Sequence, residues 1–133
     1  MADFNLQQRL LEYAANIIRL VESLPTSRSR SHIGGQLLRS GTSPLANHAE
    51  AQAAESADDF VHKMSICLKE LRESLRWLHL IRMVPLVRPA QRVDMVLGET
   101  DELIRIFHRS IETANRRKRN SKQPRSTSTY CEK

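Results

Sequence analysis

Residues 36–51 read QLLRSGTSPLANHAEA, and two different stripes run through them. Gln36, Arg39, Ser40, Ser43, Asn47 and Glu50 follow one another at helical spacing, which brings them to one narrow face of an α-helix. Ile33, Leu37, Gly41, Pro44, Leu45 and His48 make a second, largely apolar face roughly opposite. In a helix interior Gly costs about 1 kcal/mol and Pro about 3 kcal/mol relative to Ala, so Gly34, Gly35, Gly41 and Pro44 argue against a helix here. The long periodicity of both faces, with Ala46, Ala49, Ala51, Ala53 and Ala54 alongside, argues for one. The stretch is predicted to belong to a helix running from about Ser29 or Ser31 to Gln52, bent near Gly41.

Upstream, Leu6, Leu10, Tyr13, Ile17, Leu20 or Val21, and Leu24 recur at alternating helical intervals, with Arg9, Glu12, Asn16, Arg19 and Glu22 on the other side. This predicts an amphipathic helix that opens near Asp3, whose carboxylate can cap the first turn, and stops at Pro25. Downstream, Ser56 and Asp59 have capping-box spacing. Phe60, Met64, Cys67, Leu71, Leu75 and Leu78 then form a stripe that Val61, Leu68, Trp77, Leu80 and Ile81 widen, so this helix must pack on more than one neighbour. Pro85 and Pro89 bracket a turn. Val93, Val96 or Leu97, Leu103, Ile104, Phe107 and Ile111 mark a last helix that should fade near Asn115, with Gly98 weakening its middle. Four helices joined by short links predict an all-α, antiparallel up-down-up-down four-helix bundle.

With 133 residues the chain has room for one domain and one core. Its net charge of +6 is unevenly placed. Residues 1–115 hold 14 Lys and Arg against 14 Asp and Glu, whereas Arg116, Arg117, Lys118, Arg119, Lys122, Arg125 and Lys133 stand against Glu132 alone. The predicted organisation is a neutral bundle over 1–115 and a basic C-terminal tail over 116–133, which lacks periodic apolar residues and is expected to be disordered when free. Two cysteines, Cys67 and Cys131, without CxxC spacing fit a reducing, cytoplasmic setting. The opening MADFNLQQRL has no cationic region followed by an apolar core, and no apolar run approaches the ~20 residues of a membrane span, so neither export nor a membrane is expected.

The run QLLRSGTSPLANHAEA, the capping Ser56, the helix DDFVHKMSICLKELRESLRWLHLI and the proline-marked turn together resemble the bacterial four-helix-bundle proteins encoded within intervening sequences of 23S ribosomal RNA genes. The similarity covers residues 4 to about 112. It is carried by Gln36, Arg39, Ser43, Asn47 and Glu50 in the second helix and by Glu70, Glu73, Trp77 and Leu78 in the third, while Pro44 and His48 stand where the pattern has aliphatic residues. The resemblance implies a bundle that assembles as a ring-shaped homopentamer and implies no enzymatic activity. Similar bundles include the accessory proteins of diversity-generating retroelements, which join a reverse transcriptase and its RNA through a basic surface.

Read from the residues themselves, Ser40, Ser43, Ala46 and Asn47 are short and favour close approach of another helix, and Arg39 is placed to meet Glu70 or Glu73. A structural or subunit-interface role is the leading reading of Gln36, Arg39, Ser43, Asn47, Glu50, Glu70, Glu73 and Trp77; a solvated face and a small-ligand site are the alternatives. No Glu has His three positions on and no His-x-x-x-His pair occurs, so neither a di-iron nor a zinc site is expected, and no cofactor is called for. Cys67 sits on the apolar stripe and reads as core; no phosphate-binding glycine loop is present. The basic tail points to a polyanion, against the alternative of a solubilising tail. Arg116, Arg117, Lys118, Arg119, Lys122 and Arg125, helped by Arg28 and Arg30, are the candidate phosphate contacts, with RNA favoured over DNA. Tyr130 is the lone aromatic of that region, so recognition should be electrostatic rather than sequence-specific. The expected function is a non-enzymatic, oligomeric scaffold on structured RNA; the rival is a protein-binding adaptor that docks an enzyme such as a reverse transcriptase.

Overall fold

The computed structural model describes residues 5–122 and is built from four helices: α1 (Leu6–Glu22), α2 (Arg28–Gln52), α3 (Ala57–Met83) and α4 (Ala90–Lys122). No strand occurs among the described residues, and the all-α bundle expected from periodicity is observed. Consecutive helices pack against one another, and α4 closes back on α1. Contacts pair starts with ends. Gly34 near the start of α2 meets Val21 and Leu24 at the end of α1, and Arg82 near the end of α3 bonds Asp94 near the start of α4. The order is therefore up, down, up, down.

The first three helices each begin where a side-chain oxygen covers a free amide. Ser27 accepts from the Arg30 amide and Ser56 from that of Asp59, the second as its capping-box spacing predicts. The first helix is capped by Asn5, which accepts from Gln8, and not by Asp3, which lies outside the described residues. Asn is as good a cap as Asp, and from position 5 its side-chain carbonyl reaches the Gln8 amide.

Helix α2 passes through Gly41 and Pro44 without interruption. Its predicted apolar face is real: Ile33, Leu37, Gly41, Pro44 and His48 are all buried. They meet Leu10, Ile17, Met64, Leu71, Leu78, Val93, Leu103 and Phe107, the centre of a single core. Gly41 marks the closest approach of α1 and α2. A Cβ there would stand 2.8 Å from Ile17 Cγ1 and 2.9 Å from its Cγ2, nearer than side chains tolerate. The glycine's intrinsic cost in a helix is thus offset by the packing it permits.

Helix α4 does not fade near Asn115 but continues to Lys122. Residues 116–122, expected as the start of a disordered tail, extend the bundle's last helix. Lys118 forms an ion pair with Asp58 in the first turn of α3, which ties this extension to the neighbouring helix. The rest of the tail, including Arg125, Tyr130 and Cys131, lies outside the described residues. Among the described residues, no helix is long and apolar enough to cross a membrane.

Candidate nucleic-acid interface

Three polar constellations stand out on or in the bundle. The first is the polar stripe of α2. Arg39 donates to Glu70 at 3.0 Å and to Glu73, whose carboxylate also accepts from Trp77 Nε1 at 3.2 Å. The Arg39 hydrogen bond holds the Glu73 carboxyl below the usual carboxylate range. The His32 ring meets Trp77 edge-on, with centroids 6.2 Å apart. Gln36, Ser43 and Asn47 do not join this cluster through hydrogen bonds. The Asn47 amide is spent on its own helix, bonding Ser43 O at 3.1 Å and Ser43 Oγ at 2.9 Å, and Glu50 pairs with Lys63 at 2.6 Å. The stripe is a seam between α2 and α3, half-open to solvent.

The second constellation is internal. Ser40, placed on the polar stripe by its spacing, turns instead into the core and is fully buried. Its hydroxyl lies 2.8 Å from that of Ser74 on α3. Tyr13 Oη is 2.7 Å from Thr100 Oγ1 on α4. Thr100 donates its one proton to the Val96 carbonyl at 2.6 Å, so the tyrosine donates to Thr100. Two hydroxyl pairs, Ser40–Ser74 and Tyr13–Thr100, thus draw one side chain from each helix into the core. Burial pushes the Tyr13 phenol up to about 12. Buried pairs satisfied in this way favour one mutual register of α2 with α3 and of α1 with α4.

His48 is a core residue of the same kind. Gln7 donates from Nε2 to the Leu45 carbonyl at 3.3 Å, which leaves its Oε1 to accept from His48 Nδ1 at 2.7 Å. Phe107 meets the imidazole edge-on at 5.9 Å. Burial lowers the His48 pKa and favours the neutral ring. Cys67 is equally inert, its thiol pushed up to about 12 by burial. Among the described residues no three His, Cys, Asp or Glu side chains gather as metal ligands.

The third constellation is the cationic end of α4. Arg109, Arg116, Arg117 and Arg119 are exposed, and none has a carboxylate partner among the described residues, whereas Lys118 is held by Asp58. Helical spacing puts Arg109, Arg116 and Arg119 on one outward face. Their charge also offsets the negative end of the helix dipole. Lys122 is the last described residue of this helix. Arg28 and Arg30 stand at the start of α2, which the antiparallel order places at the opposite end of the bundle. They therefore cannot share one compact phosphate surface with the α4 extension, and Arg30 Nε is buried without a hydrogen bond.

Two features escaped the sequence reading. The hydroxyl pairs look like scattered polar residues because the two members of each come from different helices. Phe60, which periodicity assigned to the core stripe, is only half-buried and lines a groove of about 470 Å³ with Arg109 and Arg117. Only the register of α3 against α4 reveals that an aromatic ring lies beside the cations.

Residues 2–109 match the family model of the 23S rRNA-intervening sequence protein. A solved structure of a protein of unknown function from the S23 ribosomal protein family of Bacteroides thetaiotaomicron is 30% identical. It superposes with a TM-score of 0.74 over 80% of this chain and 98% of its own. None of the curated proteins matches the sequence.

Proposed function

Since the chain belongs to the 23S rRNA-intervening sequence protein family, we propose that it is a non-enzymatic, homo-oligomeric scaffold that binds structured RNA through the cationic end of α4. The observation that carries this reading is the group Arg109, Arg116, Arg117 and Arg119. These guanidiniums are exposed on an ordered helix, and no carboxylate among the described residues neutralises them. Surface cations that serve solubility are usually interspersed with acids, as in the Arg105–Asp101 pair earlier in the helix. Beyond Glu112 no acid interrupts the sequence up to Glu132. Such a surface binds phosphates by counterion release, in preference to any one base.

The bundle supplies the platform, and repetition of the arm in an assembly would convert several weak contacts into one useful affinity. A ring of five subunits is the assembly that the family resemblance implies. The adaptor reading retains one supporting observation. Met83 and Met95 are 82% and 75% exposed, with Val84 also in solvent, near the turn between α3 and α4. An enzyme such as a reverse transcriptase would dock there.

Purification separates the two. The RNA-scaffold reading expects co-purifying nucleic acid, seen as raised absorbance at 260 nm that high salt removes, together with a light-scattering mass of several subunits. A preparation free of nucleic acid at low salt that carries a stoichiometric second protein contradicts it.

A further inference from the structure

Among the described residues, the register of α1 against α4 leaves part of the last helix uncovered. Arg9 bonds Glu99 and Glu102, and Tyr13 meets Thr100, so the chains run past each other with Asn5 level with about Ile106. Beyond that level no described residue of the α1 segment packs on α4, while α3 still accompanies it as far as the Lys118–Asp58 pair. The uncovered face forms the groove of about 470 Å³, lined by Phe60, Ile106, Ser110 and Ala114 and flanked by Arg109 and Arg117. That volume lies in the range of small-molecule pockets, about 300–1,000 Å³.

The composition of the groove is unusual for a surface that is only charged. Phe60, Ile106 and Ala114 are half-buried, so apolar area remains accessible between two guanidiniums. The two arginines leave the helix at backbone positions about 12 Å apart along the axis, at 1.5 Å per residue, and their long side chains can converge on the groove. An aliphatic peptide would satisfy the apolar part and leave two arginines idle. A duplex would satisfy the arginines and leave the ring idle, because paired bases hide their faces. An unpaired nucleotide satisfies both, with its base against the ring and its flanking phosphates on the cations.

We infer that the groove between the start of α3 and the extension of α4 accepts an unpaired nucleotide of a bound RNA, with the base stacked on Phe60 and adjacent phosphates held by Arg109 and Arg117. The inference rests on the RNA reading above and deepens it: the arm recognises single-stranded loops or bulges within structured RNA, in preference to uninterrupted helix. It is not base-specific, since every base presents a π-face. Ser110 at the rim offers a hydroxyl to the base edge without restricting its identity.

The test uses the full chain and two RNAs of equal length, a hairpin with 2-aminopurine in its loop and an uninterrupted duplex. The wild type should bind the hairpin more tightly and quench the loop fluorophore on binding. Phe60→Leu, which keeps apolar bulk, should weaken hairpin binding about tenfold and leave duplex binding unchanged. Ser110→Leu, which narrows the groove from a half-buried position while leaving the ring and every cation in place, should abolish quenching as well. Retained thermal melting shows that each variant is folded. Binding by the wild type with no quenching, or with equal affinity for hairpin and duplex, overturns the nucleotide groove and leaves the RNA-scaffold reading standing. No binding to either RNA at low salt overturns both.

Discussion

At Gly41 the bundle depends on the absence of a side chain. The substitution Gly41→Ala places a methyl group against the buried Ile17 side chain, and neither helix can retreat without opening the core. It should destabilise the protein by about 1–3 kcal/mol despite the better helix propensity of Ala, seen as a lowered Tm. An unchanged or raised Tm would show that Ile17 adapts freely. Tyr13 gives a test in pH. Its phenol ionises near 10 in an unfolded chain and at about 12 in the fold, so the stability it contributes is complete below pH 10 and is lost as pH rises toward 12. Cys67 is shifted in the same direction, which makes the comparison with Tyr13→Phe necessary. That variant should be less stable by about 1 kcal/mol at neutral pH, and the gap should close between pH 10 and 12 in urea melts; parallel pH profiles would contradict the buried phenol. Residues on the apolar face of α2 were legible in the sequence because burial repeats with the helix. Ser40 was not, because its neighbours in sequence are polar while its partner, Ser74, lies on another helix.

Between elements, the seam of α2 and α3 rests on Arg39, which the sequence placed opposite Glu70 and Glu73 and which the structure bonds to both. The guanidinium is 51% exposed, so solvent screens the pair and its contribution is small. Arg39→Ala should cost about 0.2–1 kcal/mol in 50 mM salt and less in 1 M salt. A loss above that range which persists in high salt would mean that a second subunit covers the seam, as an interface role requires. Light scattering of the same variant reads that role directly. Helix ends were the least legible feature. Asn5 caps α1 where Asp3 was expected, because Asn and Asp cap equally well and both stand just ahead of the apolar periodicity. The extension of α4 was missed because residues 116–122 have no apolar stripe of their own. What ties them to the fold is the ion pair of Lys118 with Asp58, across a long interval of sequence.

For the whole molecule, the sequence showed a neutral bundle carrying a concentrated positive charge, and the structure gives that charge a rigid direction. Arg109, Arg116, Arg117 and Arg119 project from one end of the bundle, with Arg28 and Arg30 at the other. The account is tested most directly by the salt dependence of RNA binding. The affinity of the full chain for a structured RNA should fall linearly on a logarithmic scale of salt, and Arg116→Gln/Arg117→Gln/Arg119→Gln should reduce the slope by about 2–3. All three residues are exposed, so the bundle and its mass in solution should remain as they were. The same slope in the wild type and the triple variant, or no binding by the wild type in 50 mM salt, would contradict the assignment of this helix end to RNA.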